Sequence, residues 1–192
     1  MNESSEHLTG GRHEGRKRAG YHAACFAKKS GLGPVADAQI NLAASNALAP
    51  FERTNSAEGP YQVQQDLQEM MQNLVGIVRT GSEMEQALTE LERLGKRSRH
   101  VAVSGNREYN NGWHTALDLP NLLTVSEAVT RAAIERQESR GAHFRDDRPN
   151  KDPEFGKVNI IIRKGPAGEM QVIRQPVPPM PQELKQIIEE MK

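Results

Sequence analysis

The chain has 192 residues, 36% of them apolar and 26% charged, which is ordinary for a globular protein with one moderate hydrophobic core. Its 25 lysines and arginines balance 25 aspartates and glutamates, and the formal net charge of +0 gives no general attraction to nucleic acid or anionic lipid. A single cysteine, Cys25, excludes an internal disulfide, and no apolar run approaches the ~20 residues that span a bilayer. We expect a soluble chain in a reducing compartment, since the polar start also lacks the apolar region of a signal peptide.

Residues 1–13 are polar, contain glycine and show no periodicity, which predicts a disordered tail. A helical pattern follows over residues 14–30. Between Arg12 and Lys29 six basic residues face one acid, which gives a local charge of six minus one, or +5. We interpret this charge as a solvated helix face, and we expect no nucleic-acid partner.

The next segment, Gly31 to Ala36, fits a loose G-x-G-x-x-A dinucleotide pattern. A phosphate-binding loop has to leave a strand, whereas the residues before this one are helical and charged. The segment is therefore predicted to be a turn between helices. A second helix is predicted from Val35 to Leu48, ended by Pro50 and followed by a linker over residues 51–59.

Two amphipathic helices are predicted next, from Tyr61 to Arg79 and from Glu83 to Leu94. Gly81 and Ser82 turn the chain between them, and Gly95 ends the second helix. The apolar positions of the two helices are Val63, Leu67, Met70, Met71, Leu74 and Ile77, then Met84, Ala87, Leu88, Leu91 and Leu94. Residues 96–112 mix charge, asparagine and glycine and are predicted to be mainly a loop.

A long helix is predicted from Pro120 to Arg140, because proline suits a first turn and Gly141 suits a left-handed stop. Its apolar stripe is expected to face a core, while one flank stays in water. The stripe consists of Leu122, Val125, Val129, Ala132 and Ala133, and the flank of Glu127, Arg131 and Glu135. Together with the two preceding helices it predicts an up-and-down bundle with near-antiparallel packing.

Charge is concentrated where this helix ends, in Arg136, Glu138, Arg140, His143, Arg145, Asp146, Asp147 and Arg148. One interpretation is a solvated helix end with weak local ion pairs, and the other is a docking surface. If residues 136 and 140 are helical they lie one turn apart, so an anion is required between the two arginines. Glu138, Asp146 or a residue of a partner could supply it.

No metal or catalytic site is predicted from these residues. His100 and His114 lack the further ligands of a zinc site, and the aspartates near residue 147 lack the ligand alternation of a calcium loop. The chain ends in a predicted β-hairpin whose strands contain Val158, Ile160 and Ile162, then Met170 and Val172. Two strands alone are marginal, so the apolar face of the hairpin should lie against the bundle or a partner.

A proline-rich tail follows the hairpin, and Pro181 opens a short helix whose Leu184 and Ile187 or Ile188 could dock. The fold class is therefore mainly α: an antiparallel helical bundle, a β-hairpin and a short C-terminal helix. We divide the chain into a tail over residues 1–13, a helical domain over 14–149, and the hairpin, proline-rich tail and helix over 150–192.

The run from Arg136 to Pro149 resembles the signature R-x-E-S-R-G-A-H-x-R-x-D-x-P. That signature lies in the C-terminal part of succinate dehydrogenase and fumarate reductase flavoprotein subunits. Pro60-Tyr61 at a helix start and the stretch from Trp113 to Leu119 fit the same family, and the resemblance extends from about Gly15 to the end.

The resemblance implies a full-length subunit in which covalently held FAD exchanges a hydride with succinate or fumarate. It further implies an iron–sulfur subunit that connects to quinone, an indirect membrane anchor, and a cytoplasmic location at the inner face of the cell membrane. In that family the flavin-attachment histidine and the substrate-binding residues lie upstream of everything matched here. We therefore assign this chain no catalytic, cofactor or metal residue and expect it to be inactive and free of FAD when alone.

The expected role of the signature is contact with the missing flavin-binding domain, through Arg136, Glu138, Ser139, Arg140, His143 and Arg145. We expect the chain to be a split or truncated subunit, or a fragment of a longer one. Two alternatives remain open: a stand-alone helical interaction module without redox activity, and a fragment of an L-aspartate oxidase-like flavoprotein. The hairpin and proline-rich tail resemble the respiratory enzymes more closely.

Overall fold

The computed structural model describes residues 4–31, 33–53 and 58–191, with side chains from residue 16 onward. These residues contain six α-helices, four β-strands and a 3-10 turn over Phe155–Lys157. The helices are α1 (Ser4–Lys29), α2 (Asp37–Glu52), α3 (Pro60–Leu74), α4 (Gly81–Ser98), α5 (Asn111–Glu135) and α6 (Gln182–Glu190). The strands are β1 (Val78–Arg79), β2 (Phe144–Arg145), β3 (Val158–Lys164) and β4 (Met170–Pro176). The predicted fold class, mainly helical with a hairpin and a short C-terminal helix, is confirmed.

Contacts divide the chain into two units, residues 1–46 and 47–192. In the first unit, α1 begins at Ser4, ten residues before the start that the pattern predicts. The residues before Pro34 include no proline, so each of them has the backbone N–H that a helix uses. Residues 1–3, where the predicted disordered tail starts, and residue 32 in the predicted turn lie outside the described residues.

The second helix, α2, continues through Pro50 to Glu52, although the sequence predicts that Pro50 ends it. Only Phe51 and Glu52 follow the proline in this helix, so the missing backbone hydrogen bond is the main cost there. The Pro50 carbonyl accepts from the Val103 N–H at 3.0 Å and so ties the helix end to the loop before α5. Residues 54–57 of the predicted linker lie outside the described residues.

The core of the second unit lies between α3, α4 and α5, which pack pairwise against one another. Its buried side chains are Val63, Leu67, Leu91, Leu94, Val101, Ala116 and Leu119. Side chains cap two of these helices as their sequences favour. The Thr80 hydroxyl accepts from the Glu83 N–H at 3.3 Å at the start of α4, and the side-chain Oδ1 of Asn110 accepts from the Trp113 N–H at 3.0 Å at the start of α5.

The bounds of the bundle helices differ from the prediction. The cap at Asn110 starts α5 nine residues before Pro120, which stands inside the helix. The same helix ends at Glu135, so residues 136–140 are not helical, and α4 continues through Gly95 to Ser98. Gly141 has the expected positive φ of 60°, but it serves a turn in which the backbones of Arg140 and His143 bond to each other.

The predicted apolar stripe of α5 does not form the core, and this expectation is wrong for most of its members. Leu122, Val125 and Val129 are exposed, and Ala133 is buried. The face of α5 that fills the core instead carries Ala116, Leu119 and Thr130. The periodicity identified a helix correctly but identified the wrong part of its surface as the core.

No sequence pattern predicted a short parallel ladder in which β1 pairs with β2. In this ladder Val78 lies opposite Phe144 and Arg79 lies opposite Arg145. The ladder exists because α3 ends at Leu74 rather than at the predicted Arg79. The predicted hairpin is confirmed as the antiparallel pair β3 and β4, and both strands pack against α5. Pro181 precedes α6 as predicted, and Leu184, Ile187 and Ile188 of that helix are exposed. No helix among the described residues is long and apolar enough to cross a membrane.

Substitution of Leu119 by alanine is expected to destabilise the chain by about 2–5 kcal/mol, because Leu119 is 0% exposed and its removal leaves a cavity. The free energy of unfolding is measured in urea. Val125→Ala on the same helix is the control and is expected to change that free energy by less than about 0.5 kcal/mol, since Val125 is exposed. Equal losses would contradict the packing described here.

Candidate functional site

The signature segment folds around the carboxylate of Glu138, whose side chain is completely buried. Four donors reach it. Arg136 Nη1 and Arg140 Nε lie 2.7 Å from Oε1, Arg140 Nη2 lies 3.0 Å from Oε2, and the Asp152 N–H lies 2.7 Å from Oε2. The anion expected between the two arginines is therefore present and is Glu138, although the arginines stand on a loop rather than a helix.

These bonds set the protonation state of the carboxyl group. The hydrogen bonds from Arg140, then from the Asp152 N–H and Arg136, lower the pKa of Glu138 to about 2, although burial acts in the opposite direction. Glu138 is consequently charged at neutral pH. Its negative charge is paired with the guanidinium groups of Arg136 and Arg140, and further hydrogen bonds hold these groups in place.

The two arginines also bind backbone carbonyls of residues 152–158. Arg136 donates to the carbonyls of Phe155 and Val158, each at 3.2 Å, and Arg140 Nη2 donates to the Asp152 carbonyl at 3.0 Å. A Cβ added at Gly156 would lie 3.0 Å from Arg140 Nη2, so the chain needs glycine or some movement there. The Glu138 cluster thus fastens the segment before β3 to the end of α5.

Ser139 and Arg145 are buried and fix the exit of the loop. The Ser139 hydroxyl accepts from the Arg145 N–H at 2.9 Å and donates to the Arg148 carbonyl at 2.8 Å. Arg145 donates to Asp147 from Nε at 3.0 Å and from Nη2 at 2.6 Å. Its Nη1 donates to the Ile134 carbonyl at 3.1 Å, which is among the last carbonyls of α5.

Asp147 extends this contact to another helix. Its Oδ2 accepts from the Gly81 N–H at 3.2 Å, at the N-terminus of α4 where a negative charge is favourable. The bond from Arg145 is the main reason that the pKa of Asp147 is lowered to about 2. A Cβ at Gly81 would lie only 2.8 Å from Arg145 Nη2, so glycine permits the close approach.

His143 links the loop to β1. Arg79 Nη1 lies 3.1 Å from His143 Nδ1, and His143 Nε2 lies 3.1 Å from the Arg136 carbonyl. A guanidinium can only donate and a carbonyl can only accept, so the two partners assign the neutral ring with its hydrogen on Nε2. Burial is the largest cause of the lowered pKa of His143, and the charges of Arg79, Arg145 and Arg136 add to it.

The structure brings all six predicted residues together. Glu138, Ser139 and Arg145 are buried, whereas Arg140, with a side chain 39% exposed, and His143 reach the surface. Their interdomain role stays a prediction. Sequence reasoning missed Arg79 and Asp147 as partners; the one available signal for Arg79 is its isolated charge in the apolar run LVGIVRT.

Glu138→Gln is expected to destabilise the chain by about 3–5 kcal/mol, because it leaves two guanidinium groups without their buried counter-charge. Chemical denaturation of the full chain measures the loss. The matched control is Glu92→Gln, which breaks an exposed pair with Lys96 and is expected to cost less than about 1 kcal/mol. A loss for Glu138→Gln as small as that of the control would contradict the assigned role.

The stability of the chain is expected to fall with pH in the acid range. Glu138 and Asp147 have pKa values near 2 when folded, below their usual 4.5 and 3.8, so their contribution is complete above about pH 5 and is lost as pH falls toward 2. The difference in unfolding free energy between the wild type and Glu138→Gln should therefore shrink between pH 5 and pH 2. A difference that stays constant over this range would show that Glu138 keeps an ordinary pKa.

The chain is similar to known proteins in sequence and in fold. Over residues 64–187 the sequence matches the family described as "Fumarate reductase flavoprotein C-term". The fumarate reductase flavoprotein subunit of Mycobacterium tuberculosis is 29% identical over 169 residues, which cover 83% of this chain and 29% of that protein. The succinate dehydrogenase flavoprotein subunit of Coxiella burnetii is 33% identical over 120 residues, which cover 62% of this chain and 20% of that protein.

A solved structure shows the same fold. Mycobacterium smegmatis Sdh1 in complex with UQ1 matches with a TM-score of 0.81 and 36% sequence identity, over 88% of this chain and 29% of that chain. The chain spans between a fifth and three tenths of the length of these relatives. With a family match over more than half of its residues, the chain belongs to the C-terminal domain family of fumarate reductase and succinate dehydrogenase flavoproteins.

Proposed function

We propose that this chain serves as the C-terminal helical domain of a flavoprotein subunit that interconverts succinate and fumarate. The reaction would take place on FAD held by the remainder of that subunit, and electrons would pass to or from quinone through an iron–sulfur subunit. The assembly would lie at the cytoplasmic face of the cell membrane. The observation that carries the proposal is the match over residues 64–187, which includes the whole signature loop.

The role that we propose for the domain is to offer a rigid surface to the flavin-bearing part. The loop over residues 136–149 is already ordered by the Glu138 cluster, so association would not have to order it. The buried Glu138, Ser139 and Arg145 would act as positioning residues. Arg140 and His143 reach the surface and would make the contacts themselves.

Reconstitution tests this function. The chain is mixed with the matching chain of Mycobacterium smegmatis Sdh1 from which the matched region has been removed and to which FAD has been added. We expect a stable complex in which succinate reduces an artificial electron acceptor, whereas either part alone gives no reduction. A stand-alone interaction module would neither bind nor restore activity, and that result would overturn the proposal.

A test variant and a matched control sharpen this reconstitution. Phe144→Asp alters a half-exposed side chain within the signature loop and is expected to weaken association about tenfold or more, as loss of a buried interface residue does. Tyr109→Asp alters a side chain that is almost fully exposed on another loop and should leave association unchanged. Repeating the mixing with the flavin-bearing part of an L-aspartate oxidase separates the L-aspartate oxidase alternative, for which the chain would associate with that part instead.

A further inference from the structure

Two depressions on the second unit meet at Val129. The first, which we name the α3–α5 groove, is lined by Leu67, Met71, Leu122, Val125 and Val129, with Gln64, Gln68 and Ser126 at its rim. The second, which we name the Arg79 cleft, is lined by Arg79, Val129, Ala132, Arg136, His143 and Ile160. Val125 is 63% exposed and Val129 is 43% exposed, so a continuous strip of α5 presents aliphatic side chains to solvent.

Charge is unevenly distributed along this strip. The described residues that line the groove are apolar or neutral, whereas those that line the cleft include two guanidinium groups and no carboxylate. Arg136 pairs with Glu138, a carboxylate that it shares with Arg140. Arg79 donates to the carbonyls of Val75 and Gly76 and to His143 Nδ1, and all three of these partners are neutral.

Arg79 therefore brings a positive charge into a partly buried position where no described carboxylate lies within ion-pair distance. Guanidinium groups in such positions bind carboxylates strongly once water is excluded. An apolar groove that ends at this charge is complementary to a segment with aliphatic side chains and a carboxylate at one end. Because the histidine that Arg79 contacts belongs to the signature loop, the cleft is continuous with the surface already proposed for docking.

We propose that the α3–α5 groove and the Arg79 cleft together bind one segment of the flavin-bearing part of the subunit. The segment places aliphatic side chains along α5 and a carboxylate against Arg79. This inference rests on the proposed function, and it identifies the face and the chemistry of the contact. The flavin-bearing part is the occupant because the matched region covers only 29% of the Mycobacterium tuberculosis flavoprotein subunit, so most of that polypeptide is available to cover this face.

The test measures affinity of the full chain for the same FAD-containing part of Mycobacterium smegmatis Sdh1, by calorimetric titration. Val125→Glu puts a charge into the groove and should weaken binding about tenfold or more. Val177→Glu makes the same chemical change at an exposed position outside the groove and should leave affinity unchanged. Both valines are exposed, so urea unfolding should give both variants the stability of the wild type, which excludes misfolding as the cause.

Arg79 is tested by removal and by conservative replacement. Arg79→Gln should weaken binding about tenfold or more and should lessen its dependence on salt, because the interdomain ion pair is lost. Arg79→Lys keeps the charge and should recover part of the affinity. A structural role alone would make both variants less stable in urea without changing the salt dependence of binding, and that outcome would overturn the inference.

The remaining outcomes separate this inference from the proposed function. If the wild type binds and Val125→Glu and Arg79→Gln bind equally well, the inference is wrong and the proposed function stands. If the wild type does not bind, both are wrong. If Val125→Glu weakens binding to an isolated iron–sulfur subunit and not to the FAD-containing part, the surface is a docking site but the occupant proposed here is wrong.

Discussion

The structure of this domain depends on one buried carboxylate. Glu138 has no contact with solvent, and a charged group in that position is tolerated only when donors surround it. Arg136 and Arg140 flank it, and the Asp152 N–H bonds to it as well. Each arginine then uses its remaining N–H groups on carbonyls of residues 152–158, so the cluster determines the path of the chain from α5 to the hairpin.

The signature loop also binds backbone groups at helix ends that have no hydrogen-bond partner within their own helix. A helix leaves its last carbonyls and first N–H groups unpaired, with partial negative and positive charge respectively. Arg145 donates to a carbonyl at the end of α5, and Arg79 donates to two carbonyls just after α3. Asp147 accepts from the first N–H of α4. A cation of the signature loop therefore stands at the C-terminal end of α5 and an anion at the N-terminal end of α4, each with the favourable sign of charge. The same loop reaches the segment after α3 through the contact between His143 and Arg79.

Much of this architecture could be predicted from the sequence, because apolar periods of 3.6 and 2 identify helices and strands locally. The bundle helices, the hairpin and the helix after Pro181 follow from such patterns. The end of α5 could not be predicted, because Gly141 stands where a helix stop is common. The helix ends earlier, at Glu135, where Arg136 bonds to Glu138 and Arg145 donates to the Ile134 carbonyl. The pairing of β1 with β2 was missed for a similar reason: two residues carry no periodicity, and the partner strand lies 66 positions away.

The failed prediction for the α5 stripe concerns burial rather than secondary structure. A helical apolar period shows that one side of a helix is suited to lie away from water, but it does not identify the element that covers that side. In α5 the core is filled by Ala116, Leu119 and Thr130, while Val125 and Val129 of the stripe are exposed beside Arg79. The sequence pattern and the exposed surface agree if the covering element belongs to another part of the flavoprotein. Arg79 lies at the end of the stripe and has no described carboxylate partner. One docked segment of that other part would cover the apolar strip and pair with the charge of Arg79.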